Sequence, residues 1–186
     1  EWNTIVEIKE EKWSSTKPIH SDQVSKLSDI GVSDTPRTLS GSKEMDRVLG
    51  GGLVKGASVL IGGEPGIGKS TLLLEFADRI SLIKGQKVLY VTGEESLEQI
   101  KIRAGRLGID NNELLLASDT SLSRVMSTIE SIKPTLVIID SIQAVYDEEL
   151  SSPMGSFSQL RQTVSSVVEY CKPRDISSFL IGHVTK

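Results

Sequence analysis

Residues 62–75, GGEPGIGKSTLLLE, constrain this chain more than any other stretch. They contain Gly63-Glu64-Pro65-Gly66-Ile67-Gly68-Lys69-Ser70, a complete G-x-x-x-x-G-K-[ST] pattern. Glycines let backbone N–H groups turn inward around phosphate oxygens. The lysine sets a cation on the outer phosphates, and the serine hydroxyl ligates magnesium. The loop works only between a buried strand and a helix, and both flanks are present. Residues 57–62, ASVLIG, are a short apolar run. Beyond Lys69, the residues Leu73, Phe76, Ala77, Ile80 and Ile83 recur at helical spacing until Gly85. The nucleotide-binding candidates are therefore Gly63, Glu64, Pro65, Gly66, Ile67, Gly68, Lys69, Ser70 and Thr71, with Ser70 also a metal ligand.

The pattern then repeats. Strand-like runs at 87–92 (KVLYVT), 113–118 (ELLLAS), 135–140 (TLVIID) and 178–183 (SFLIGH) alternate with three helical stripes. One stripe carries Leu97, Ile100, Ala104 and Leu107. A second carries Leu122, Val125, Met126, Ile129 and Ile132. The third carries Phe157, Leu160, Val164, Val167, Val168 and Cys171. Alternation with short links predicts an α/β fold, a mostly parallel sheet with helices on both faces. Ahead of it, Ser42 reads as the cap of a short helix over 43–49, stopped by Gly50-Gly51-Gly52. Residues 1–36 form poor core and read as an extension or linker, with 4–8 as an edge strand, Trp2 and Trp13 as packing anchors and His20 exposed. The main domain is expected over 37–186.

Composition removes several classes. No apolar run approaches the ~20 residues of a membrane-spanning helix, and the start, EWNT, has neither basic stretch nor apolar segment behind it. The missing initiator methionine suggests an excised piece. A single cysteine, Cys171, excludes an internal disulfide and a zinc site built on cysteine pairs, and it fits a reducing cytoplasm. The net charge of −4 argues against a surface that grips nucleic acid throughout, while leaving room for a local basic path.

In such sheets chemistry gathers at the carboxyl ends of the strands. Asp140 ends the most apolar run, where a carboxylate costs too much to be filler; beside the phosphate loop it reads as the Walker B residue, the second metal candidate. Ser141 and Gln143 follow; they suit reading the γ-phosphate, and Ser141 equally suits capping the next turn. Glu94 and Glu95 end the second run. One of them suits orienting the attacking water, with Glu94 the first choice and Glu95 its rival; with Glu98 they also suit a helix N-terminal cluster. Lys69 and Glu94 are the catalytic candidates. His183, Thr185 and Lys186 fall at the end of the fifth run, where they would sit beside the phosphates or start a mobile loop. The basic residues Lys101, Arg103, Arg106, Lys172 and Arg174 read either as solvated faces or as contacts to nucleic acid.

Together these residues resemble a RecA-type ATPase, in which the catalytic glutamate follows the second strand. More narrowly, SGSKEMDRVLGGGLVKGASVLIGGEPGIGKSTLLLE, LYVTGEES, LVIIDSIQ and CKPRDI…FLIGHVTK resemble the bacterial RadA (Sms) family over 38–186, and EWNT resembles the tail of that family's four-cysteine zinc module. The resemblance implies a cytoplasmic, magnesium-dependent ATPase binding ATP and ADP. It implies homo-hexameric rings on single-stranded DNA and recombination intermediates, RecA as a partner, and no membrane. It assigns phosphate and magnesium to Lys69 and Ser70, Walker B to Asp140 and water activation to Glu94. Residues 147–158, bordered by Arg161, correspond to the first DNA-facing loop, and the second begins at Lys186. Zinc belongs to a module outside these residues, as do a Lys-Asn-Arg-Phe-Gly motif and a Lon-protease-like domain. This stretch alone is accordingly expected to bind nucleotide but hydrolyse it slowly and form weak rings. Rival readings are a clock-type or signalling ATPase acting on protein, and a nucleotide-gated ring whose assembly is the product.

Overall fold

A computed structural model describes residues 24–29 and 36–184. The chain divides into two compact units, Glu1–Asp34 and Thr35–Lys186. The described part of the first is a 3-10 turn, Leu27–Asp29. The expectations for Trp2, Trp13, His20, Thr185, Lys186 and a strand at 4–8 lie outside the described residues.

The second unit opens with a small antiparallel pair, β1 (Arg37–Thr38) and β2 (Leu53–Val54), which the sequence did not announce. Between them lies α1 (Lys43–Val48), capped by the Ser42 hydroxyl. Then come β3 (Ser58–Gly63), α2 (Lys69–Ser81), β4 (Val88–Thr92), α3 (Leu97–Arg106), β5 (Leu115–Ser118), α4 (Leu122–Ile132), β6 (Leu136–Asp140), α5 (Phe157–Cys171) and β7 (Ser177–His183). The five long strands make one sheet in the order β3-β7-β6-β4-β5, and every neighbouring pair is parallel. The strands of this sheet and the helices α1–α5 fall within a few residues of the sequence expectation, because apolar periodicity and glycine stops mark them.

The central strands β4 and β6 are buried along their whole length, so successive side chains supply two cores. Val88, Tyr90, Leu136 and Ile138 meet Leu73, Phe76, Ile80 and Ile100 of α2 and α3 on one face. Leu89, Val91, Val137 and Ile139 meet Val125, Ile129, Val167 and Cys171 of α4 and α5 on the other. Truncating Ile138, wholly inaccessible to solvent, to alanine costs about 2–5 kcal/mol on the usual scale for core methyl loss. Burial pushes the Cys171 thiol up to about 11, which keeps it protonated and unreactive near neutral pH. No helix among the described residues is long and apolar enough to cross a membrane.

One consequence of this topology positions the site. β3 lies beside β7, and β7 beside β6, so the carboxyl ends of the phosphate-loop strand, the His183 strand and the Asp140 strand stand in a row. β4, bringing Glu94 and Glu95, follows next to β6.

Candidate nucleotide site

The helices differ at their starts. α1, α3, α4 and α5 begin on serine, and Ser42, Ser96, Ser121 and Ser156 each accept a backbone N–H of the first turn. Gln99 completes a capping box on α3. Only α2 begins on glycine, Gly68, with a left-handed φ of 97° and no side-chain cap. Its first-turn N–H groups have no intrahelical partner and carry the positive end of the helix dipole. Gly66 also has a positive φ, 80°, and a Cβ at either glycine would meet nothing within 4 Å. Their requirement is conformational, and it bends the loop around an open space. This start fits a phosphate.

A cleft of about 480 Å³ opens there, bounded by Gly66, Lys69, Ser70, Glu94, Arg103 and His183, with Pro65 and Thr71 also on its wall. Lys69 is buried, and its Nζ donates to the carbonyls of Gly63 at 2.9 Å and Glu64 at 2.8 Å. Nζ also lies 3.3 Å from His183 Nδ1. Ile67 stands 64% exposed, and its Cδ1 would clash at 2.5 Å with a Cβ on Gly63.

The two adjacent glutamates part company. Glu94 Oε1 accepts from the Ser141 hydroxyl and lies 3.1 Å from His183 Nε2. Glu95 instead forms a 2.8 Å ion pair with Arg103 Nη1, while Thr92 Oγ1 accepts its backbone N–H. Glu98 sits in the first turn of α3, where chiefly the Ser96 hydroxyl lowers its carboxyl below the usual range. So Glu98 takes the helix-terminus position, and both Glu94 and Glu95 line the cleft, Glu95 paired there with Arg103 and Glu94 with Ser141 and His183. Gly93 makes this approach feasible, since a Cβ there would meet the Ala144 Cβ at 2.6 Å. Its N–H donates to the Asp140 carbonyl at 2.9 Å, tying the two strand ends together.

Asp140 is buried, with 6% of its surface exposed, and Tyr90 Oη donates to its Oδ2 at 2.5 Å. Burial first, then the Asp140 charge, drives the Tyr90 hydroxyl far above its ordinary pKa, so it remains a donor. Ser141 bonds to Glu94 rather than capping a turn, and Gln143 Nε2 donates to the His183 carbonyl at 3.2 Å.

Sequence reasoning passed over Tyr90 and misread Arg103. Tyr90 hid inside an apolar run, its one signal being that a buried phenol needs a partner. Arg103 is neither part of a solvated face nor turned outward as a contact for nucleic acid. It turns into the cleft, where its Nε and Nη2 are buried without a hydrogen-bond partner. Its place three residues beyond the core residue Ile100 was the available signal. Lys101 and Arg106 of the same helix are exposed, as are Lys172 and Arg174. The 147–158 segment is pinned at its base. Gln159 accepts the Asp147 N–H at 2.8 Å and donates to the carbonyls of Asp147 and Ser152.

A parallel sheet with a phosphate loop, an uncapped helix start and a carboxylate row defines an α/β nucleoside triphosphatase of the RecA-like class. A family model described as "ATPase: KaiC" matches residues 38–119. The chain is 44% identical over 186 residues to the DNA repair protein RadA of Aquifex aeolicus, and 43% over 192 residues to that of Bacillus subtilis. Against that of Escherichia coli it is 42% identical over 195 residues. It belongs to the RadA family. All of the chain is covered in these matches, and it spans 41–42% of the length of these relatives.

Proposed function

We propose that this chain is the motor core of an ATP-dependent DNA repair and recombination protein, acting on single-stranded DNA and recombination intermediates. One observation carries the ATPase half: α2 starts uncapped against a cleft holding Lys69, Ser70 and Glu94. Lys69 and the first-turn N–H groups of α2 bind the phosphates, and Glu94 orients the attacking water. His183 and Ser141 converge on one Glu94 oxygen and leave Oε2 available to it. Magnesium, when bound, neutralises charge on the phosphate oxygens; Ser70 and Asp140 would hold it. Tyr90 positions Asp140 for that task. Glu95 is removed from the reaction by Arg103.

The DNA half rests on the relatives, which are DNA repair proteins, and on residues 147–158, which project Met154 and Phe157, 58% and 80% exposed, near Arg161. An aromatic ring beside a guanidinium suits stacking on unpaired bases. Ring assembly, with six copies, and a RecA partner are parts of the same proposal. The KaiC match keeps a rival open, an ATPase of the clock or signalling type that acts on protein. ATP hydrolysis by the full-length protein, with and without single-stranded DNA and across a salt series, separates them. Stimulation that falls steeply with salt is expected; turnover indifferent to DNA would favour the rival.

A further inference from the structure

His183 ends β7 between two groups of opposite charge, Lys69 Nζ at 3.3 Å and Glu94 Oε1 at 3.1 Å. An ammonium only donates and a carboxylate only accepts. Nδ1 therefore accepts from Lys69, and Nε2 donates to Glu94. With the Gly63 and Glu64 carbonyls, His183 completes the three acceptors that an ammonium can use. The histidine is itself fixed. Gly63 pairs with it in register, Gln143 donates to its carbonyl, and the following N–H, of Val184, donates to the Gly63 carbonyl at 3.1 Å.

Two consequences follow. Phosphate oxygens recruit Lys69 only by displacing at least one of these three acceptors, and His183 is one of them, so it competes with nucleotide for the lysine. When Lys69 leaves, Nε2 still holds Glu94, on the oxygen that Ser141 also grips. We propose that His183 is a two-handed positioning residue: Nδ1 parks Lys69 while the cleft is empty, and Nε2 aims Glu94 throughout. The inference rests on the ATPase reading above and extends it to a strand end outside the phosphate loop and the carboxylates.

The two hands can be separated. An asparagine amide reaches about as far as Nδ1, and a glutamine amide about as far as Nε2. His183→Asn thus keeps the Lys69 acceptor and loses the Glu94 donor; His183→Gln does the reverse. In the full-length protein, the Kd for a fluorescent ADP analogue and the kcat for ATP are measured for both, alongside Lys69→Ala. His183→Gln is expected to bind nucleotide about two- to tenfold tighter than His183→Asn, the scale of one hydrogen bond. His183→Asn is expected to turn over about tenfold slower than His183→Gln, a fraction of the 10²–10⁴ that a positioned catalytic group typically contributes. Equal values in the two variants, or the reverse order in either quantity, overturn the inference. If Lys69→Ala also binds like the wild type, the ATPase reading falls with it. If Lys69→Ala loses binding while the two variants stay indistinguishable, only the role of His183 falls.

Discussion

The two ends of the sheet make opposite use of similar side chains. At the amino end lies a cavity of about 620 Å³, larger than the nucleotide cleft, with Lys55, Lys133 and Arg174 on its wall. Size and cations alone would nominate it. Arg174, however, serves a helix carboxyl terminus. Arg174 donates to the Tyr170 carbonyl at 3.0 Å and stacks on that ring at 4.0 Å. Lys133, at φ 51°, donates its N–H to Ile129, and Lys87 Nζ donates to the Ile132 carbonyl. There the side chains of Arg174 and Lys87 and the backbone N–H of Lys133 satisfy orphan carbonyls at helix ends. At the carboxyl end the helix start is left uncapped, Lys69 rests on replaceable contacts, and two donors of Arg103 are idle. What distinguishes a site is bonding capacity held in reserve, not volume.

Four substitutions press on this contrast. Glu94→Gln keeps the size of the side chain but removes its charge. Turnover should fall about 10²–10⁴-fold with nucleotide affinity kept near the wild-type value; a loss of affinity with normal turnover would reassign Glu94. Tyr90→Phe leaves the buried Asp140 short of a donor. A loss of about 1–3 kcal/mol in denaturant unfolding is expected, with a weaker apparent affinity for magnesium in the ATPase assay. Unchanged stability and magnesium dependence would mean that Tyr90 does not hold Asp140. The smallest effect belongs to the amino end: Lys133→Ala and Arg174→Ala should leave nucleotide affinity within about twofold. A tenfold loss in either would make the larger cavity part of the site. For Arg174→Ala the cost in stability should stay near 0.5–1 kcal/mol, the scale of an exposed cation–π pair.

Much of this was legible in the residues. The alternation of apolar runs and stripes gave the strands and helices of the large sheet, because buried parallel strands must be continuously apolar and their covering helices striped. The phosphate loop was readable because its glycines and lysine do local work. Asp140 stood out as a charge at the tip of an apolar strand. Hidden from the sequence were relations created by strand order. Nothing in VLYVT shows that Tyr90 lies across from Ile138 and reaches Asp140, two residues further along β6. Nor does the spacing of Lys69, Glu94 and His183 reveal that β7, inserted beside β3, carries a histidine between the other two. The different partners of Glu94 and Glu95 were likewise hidden, since adjacent residues in a loop share every local signal.

The most direct test is hydrogen exchange of the full-length protein with and without magnesium and a non-hydrolysable ATP analogue. Protection is predicted over 63–72, at the start of α2, and near 94 and 183. Protection confined instead to 130–135 and 170–177, around the amino-end cavity, would contradict the account.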